Sequence, residues 1–171
     1  KITLEEDIKK TKYFLSIGRF TKQKNFDLLI NAFNEFLKIN SSYKLFIIGE
    51  GEEKKKITNK IKKLKLENQV NLLGFKNNVY KYLKNSKAFI LSSLWEEMGF
   101  VIIEAASCNT PIISSDCPNG PSEFLNYGNA GYLFKNNSII DLVKKMKKFD
   151  SDEKTIKYNK ILLAKKNVKN F

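Results

Sequence analysis

"YFLSIGRFTKQKNFDLLINAFNEFLKINSSYKLFIIGEGEE", residues 13–53, decides the fold. "YFLSI" (13–17) is apolar nearly throughout, as a strand buried on both faces must be. Phe26, Leu29, Ile30, Phe33 and Leu37 then recur at the spacing of one face of an amphipathic helix. "KLFIIG" (44–49) is a second apolar run, closed by the turn "GEGEE". A buried strand, a helix and another buried strand form a parallel unit joined by a crossover helix.

The alternation continues to the end of the chain. "VNLLGF" (70–75), "AFILSS" (88–93), "TPIISSD" (110–116) and "AGYLF" (130–134) predict four more strands. Helices are predicted over 52–65, over "VYKYLKN", over "VIIEAASC", and over 138–149 and 153–170. No linker or internal repeat interrupts them. The expectation is one domain over 1–171, an α/β fold with a doubly wound, mostly parallel, six-stranded Rossmann-like sheet. Such sheets bind ligands beyond the carboxyl ends of their strands, which selects the loops 18–24, 49–52, 74–77, 92–101 and 115–123.

Arg19 is the sole arginine among 31 basic residues, and it falls in the first of those loops with Lys24. A guanidinium holds two phosphate oxygens in a planar fork, and an ammonium adds a mobile point charge. Arg19 and Lys24 are read as a diphosphate grip, against the plainer reading of a surface arginine paired to a carboxylate. Gly49 and Gly51 follow the second strand, where glycine permits either an ordinary turn or close approach of a ligand.

"SSLWEEMGFVIIEAASCNTPIISSD" (92–116) is the most informative stretch. Seven residues separate Glu96, in the loop after the fourth strand, from Glu104, inside the next helix. An unpaired carboxylate amid "VIIEAA" would be costly to bury, so Glu104 is expected to have a partner. Gly99, Phe100 and Val101 mark the helix start, whose free N–H groups and dipole favour an anion.

The formal charge of +13 admits attraction to nucleic acid, anionic lipid or phosphorylated ligands. One arginine, and lysines dispersed among acids, argue against a nucleic-acid reader. G-x-G-x-x-G and G-x-x-x-x-G-K-[ST] are both missing, which disfavours a dehydrogenase or a P-loop kinase. The histidine count is zero, which removes Ser-His and Cys-His nucleophile pairs from this chain. Cys108 and Cys117 are too few for a disulfide framework and read as reduced thiols. The chain starts at Lys1 without methionine and is expected to be a piece of a longer protein.

"GRFTKQKN", "GEGEE", "LLGF", "EEMGFVIIEAASCNTPIISSD" and "GPSEFL" resemble, in this order, the group 1 glycosyltransferases, the retaining family 4. The resemblance is to the C-terminal, donor-binding half of that family's two-domain GT-B architecture. It implies transfer of a hexose or N-acetylhexosamine from a nucleotide diphosphate sugar, UDP-linked by family frequency, to a glycan or lipid-linked acceptor in surface polysaccharide assembly. Neither a metal nor another cofactor is implied. Arg19 and Lys24 would bind the diphosphate, with amides at Gly99, Phe100 and Val101 meeting sugar and phosphate. Gly49 and Gly51 would line the nucleotide cleft, the backbone at Phe75 and Lys76 would hold the base, and Glu104 the ribose. Glu96 would be the catalytic acid, binding hydroxyls of the transferred sugar. After it this chain has Glu97 and Met98, where the family commonly has glycine and an aromatic. The implied partners are the nucleotide sugar, the protein's own N-terminal domain and an anionic membrane surface, with no nucleic acid, in a cytoplasmic setting. The fragment alone is expected to be inactive.

Overall fold

The computed structural model describes residues 8–97 and 99–170. Six strands, β1 (Tyr13–Ile17), β2 (Lys44–Ile48), β3 (Val70–Leu72), β4 (Ala88–Leu91), β5 (Ile112–Ser115) and β6 (Tyr132–Phe134), form one sheet in the order β3-β2-β1-β4-β5-β6. Every neighbouring pair is parallel, with Ile17 opposite Ile48 and Leu15 opposite Phe89.

Alternate strand residues face opposite sides and both sides are buried, which is why the strands read as unbroken apolar runs. Phe14, Leu45, Ile47, Val70 and Ile113 pack on one side, beneath α1 (Phe26–Leu37), α2 (Lys54–Lys63) and α6 (Ile139–Ser151). Leu15, Phe46, Ile48, Leu91 and Ile112 pack on the other, beneath α3 (Tyr80–Asn85), α4 (Phe100–Ser107) and α5 (Pro121–Phe124). The helix α7 (Lys154–Asn167) lies against α4 and buries only Ala164.

The departures from the sequence reading fall at element ends: β5 and β6 begin at Ile112 and Tyr132, two residues after the predicted 110 and 130. β3 stops at Leu72 and β4 at Leu91, short of the predicted 75 and 93. Gly74 at φ 69° leaves extended geometry, and past Leu91 the chain turns into the loop, where the Ser92 and Ser93 hydroxyls donate to the Lys24 carbonyl and the Glu96 carboxylate. The helix predicted to run to 170 ends at Asn167 in a 3-10 turn over Val168–Asn170. Helix α5 has no counterpart in the periodicity. It is one turn long, started by Gly120 and Pro121, too brief for an apolar stripe.

Candidate functional site

β1 and β4 are neighbours at the centre of the sheet, where the strand order reverses direction. The loops leaving their carboxyl ends diverge to opposite faces and leave a crevice between them. Everything polar in the site is built from those two loops and the start of α4.

The loop after β1 is held by backbone. Gly18 N donates to Ile48 O at 3.0 Å, Phe20 N to Glu50 O at 2.8 Å, and Glu53 N to Phe20 O at 2.9 Å. Gly49 and Gly51 are what allow this crossing. A Cβ on Gly49 would sit 1.9 Å from Gly18 O, and one on Gly51 would sit 2.6 Å from Phe20 O. Both glycines therefore serve close approach of the protein's own loop. Gly18 gives room in turn to the aliphatic stem of Lys24, whose carbons a Cβ would meet at 3.1 Å.

That stem carries the Lys24 ammonium to Glu96, Nζ to Oε1 at 2.6 Å. Glu96 is only 5% exposed, and the Ser93 hydroxyl donates to the same oxygen. The two loops are also stitched by Leu94 N to Gln23 O at 2.8 Å, Gln23 Nε2 to Trp95 O at 2.9 Å, and Ser92 Oγ to Lys24 O at 2.7 Å. Ser115 Oγ and Asn136 Nδ2 hold the β4 loop from behind through the carbonyls of Ser93 and Leu94. These supports were not singled out in the sequence. The signal was the run of hydroxyls closing two apolar strands, Ser92-Ser93 and Ser114-Ser115.

Arg19, Lys24, Glu96, Gly99, Phe100 and Val101 all line one cleft of about 350 Å³ at this point, together with Glu97. The Arg19 guanidinium is exposed and makes no hydrogen bond or ion pair with any described residue. Gly99 caps α4 in the left-handed region at φ 61°, and its carbonyl accepts from Ile102 N at 2.8 Å. The N–H groups at the start of α4 have no intrahelical partner and carry the positive end of the helix dipole. A neutralised ion pair, a free guanidinium and a helix N-terminus thus meet in one place, an arrangement suited to a bound anion with hydroxyl groups attached.

The remaining sites lie beside the cleft. Glu104 is one turn along α4, on the face shared with Phe100 and Val101. Its expected partner is missing: the carboxylate is half-buried and pairs with no described residue. Burial alone pushes its pKa up. Phe75 is 72% exposed, and with Lys76 it follows Gly74, whose carbonyl accepts from Gly49 N at 3.1 Å. The structure sets this pair on the same rim, outside the enclosed part. Among the described residues no group of three or more His, Cys, Asp or Glu could hold a metal ion, and no helix is long and apolar enough to cross a membrane.

The chain spans less than half the length of the curated relatives it matches. It is 36% identical over 157 residues to the Campylobacter jejuni N-acetylgalactosamine-N,N'-diacetylbacillosaminyl-diphospho-undecaprenol 4-alpha-N-acetylgalactosaminyltransferase, covering 90% of this chain and 42% of that one. The fold superimposes on Staphylococcus aureus TarM, solved with UDP, fondaparinux and alpha-GlcNAc-glycerol, with a TM-score of 0.87 and 29% identity over 94% of this chain and 32% of that one. The C-terminal domain of a Francisella tularensis glycosyl transferase group 1 protein, solved by itself, matches with a TM-score of 0.82 and 22% identity over 97% of this chain and 90% of that domain. Residues 4–166 match the family described as glycosyl transferases group 1. The sheet order, the crevice at its reversal and these likenesses agree: the chain belongs to the group 1 glycosyl transferases and has the fold of their GT-B C-terminal domain.

Proposed function

We propose that this domain binds the nucleotide diphosphate sugar donor of a retaining glycosyltransferase that moves a hexose or N-acetylhexosamine to a glycan or lipid-linked acceptor during surface polysaccharide assembly. The observation that carries the reading is the Lys24–Glu96 pair of 2.6 Å beside an unpaired Arg19, at the N-terminus of α4 and the reversal of the sheet. Lys24 spends one of its three N–H donors on Glu96 and keeps two for phosphate oxygens. Arg19 adds a bidentate fork. Glu96, held by Lys24 and Ser93, keeps its second oxygen for sugar hydroxyls and serves as the catalytic residue.

The chemical demand is stabilisation of the diphosphate as it leaves the anomeric carbon. Lys24, tethered to Glu96, and the N–H groups of Gly99, Phe100 and Val101 are set before the reaction, which is where electrostatic stabilisation is most effective, and Arg19 adds a second positive charge. No metal or other cofactor is invoked. The half-buried Glu104 is assigned to the ribose hydroxyls and the backbone at Phe75 and Lys76 to the base, with UDP favoured. The solved TarM complex contains UDP, and the Campylobacter relative is named for transfer to an undecaprenol-linked sugar. An anionic membrane surface suits such acceptors and the charge of +13. The acceptor site is assigned to an N-terminal domain, so this chain binds donor without turnover.

Calorimetric and thermal-shift titration with UDP, GDP and ADP tests the reading. A selective shift with UDP is expected, since a ligand that binds only the folded state raises the melting point. Arg19→Ala should weaken UDP at least about tenfold through loss of charge-assisted hydrogen bonds. An unchanged response in that variant would overturn the diphosphate assignment, and sugar transfer by the chain alone would overturn its dependence on a second domain.

A further inference from the structure

One acid in the cleft has no part in the reading above. Glu97 lines the same space as Arg19, Lys24 and Glu96. Unlike Glu96 it is exposed, and its carboxylate pairs with no described residue. Glu96 and Lys24 neutralise each other at 2.6 Å. The two charges left uncompensated are therefore the Arg19 guanidinium and the Glu97 carboxylate. Salt screens a charge over roughly 8 Å at physiological ionic strength, and Glu97 lines the cleft wall itself. Any group held there feels Glu97.

We propose that Glu97 is a specificity-determining residue: it accepts hydrogen bonds from hydroxyl or amide N–H groups of a neutral donor sugar and repels donors whose sugar carries a carboxylate. This rests on the cleft being the nucleotide-sugar site. An ionised acceptor makes hydrogen bonds about twice as strong as a neutral one, which favours hydroxyl-rich and N-acetylated sugars. A uronic acid brings a further negative charge up to the unpaired acid that lines the cleft, and placing such a repulsive element is how a site rejects a close analogue. The diphosphate is common to all these donors, so Arg19 and Lys24 do not distinguish them.

Titration of UDP, UDP-glucose, UDP-N-acetylglucosamine and UDP-glucuronate into the wild type, Glu97→Gln and Glu97→Lys decides the matter. The wild type should prefer UDP-glucose over UDP-glucuronate by about tenfold, the size of a like-charge contact in a partly screened cleft. Glu97→Gln keeps size and removes charge. It should strengthen UDP-glucuronate, weaken UDP-glucose and UDP-N-acetylglucosamine relative to UDP as the charged acceptor becomes neutral, and bring the preference within about threefold. Glu97→Lys should reverse it, and because Glu97 is exposed and unpartnered both variants should melt with the wild type. A glucose-to-glucuronate ratio that is the same in wild type and Glu97→Gln, with UDP bound by both, overturns this inference alone. Absence of UDP binding to the wild type overturns the donor site and this inference with it.

Discussion

Two lysine–carboxylate pairs occupy opposite rims of the sheet, and they differ in what they leave unspent. At the amino rim, Asp150 near the end of α6 accepts from Tyr43 at 2.7 Å, from Asn40 at 2.7 Å and from Lys12 at 3.2 Å. Lys12 also lies 4.1 Å over the Tyr43 ring. Burial pushes the Asp150 carboxyl up, but the hydrogen bonds from Tyr43, Asn40 and Lys12 outweigh it and hold the pKa below its ordinary value. The three donors on Asp150 tie α6 to the starts of β1 and β2, while Lys87 and Lys154 line the same hollow as exposed cations. At the carboxyl rim, Lys24 and Glu96 form a shorter and more buried pair, but around them stand a free guanidinium, a free carboxylate and a helix N-terminus. The hollow beside Asp150 is the larger, about 710 Å³ against about 350 Å³. Neither size nor the presence of an ion pair separates the two rims; what the carboxyl rim adds is a guanidinium fork, a carboxylate and a helix N-terminus around its neutralised pair.

The largest effect expected from this contrast is Lys24→Met. It leaves Glu96 buried without its cation, which should cost about 3 kcal/mol of stability and abolish measurable UDP binding. Adding Glu96→Gln should restore most of the stability and none of the binding, because no charge is then left buried and the amide oxygen still accepts from the Ser93 hydroxyl, while the phosphate ligand is still missing. Chemical denaturation read beside UDP titration checks both. If the double variant bound UDP like the wild type, the pair would be structural and the two rims alike.

Asp150→Asn is the counterpart. Weakening three hydrogen bonds to a charged acceptor should cost about 2 kcal/mol and leave UDP affinity unchanged. The folded pKa of Asp150 is depressed, so its contribution is present above the unfolded value of about pH 4 and is lost as pH falls below it. The stability gap between wild type and variant, followed from pH 7 to about pH 2, should close only at the acid end.

The sheet was legible because a strand buried on both faces can only be apolar, and because six such runs alternate with helical spacing. Legible too were Arg19, Lys24 and Glu96, which the structure gathers with Gly99, Phe100 and Val101 around one cleft. What the sequence could not supply was the direction of each interaction. Gly49 and Gly51 stood equally for a turn or a ligand loop, and only the backbone of Gly18 and Phe20 crossing within van der Waals reach shows what they accommodate. The partner expected for Glu104 followed from treating its helix as wholly buried, whereas α4 leaves that face half open. The supports at Ser115 and Asn136 act through tertiary contacts 22 and 42 residues apart in the chain, beyond the reach of any local pattern, whereas Ser93 reaches Glu96 only three residues on.

Glu104 gives the smallest expected effect and the finest test. Its folded pKa is raised by burial with no partner to offset it, so ionising it opposes folding. Glu104→Gln should match the wild type at acid pH, where the carboxyl is protonated in both folded and unfolded states, and be the more stable of the two once the pH has passed the raised value. Ligand binding turns this into a statement about role. Ribose hydroxyls donating to Glu104 would favour its charged form, so wild-type affinity for UDP should rise as the pH passes through the free-state pKa. The diphosphate's own titration is common to both proteins and cancels when they are compared. In Glu104→Gln the extra rise should vanish, whereas parallel pH profiles in the two proteins would move the ribose away from α4 and leave the half-buried acid a cost of the fold alone.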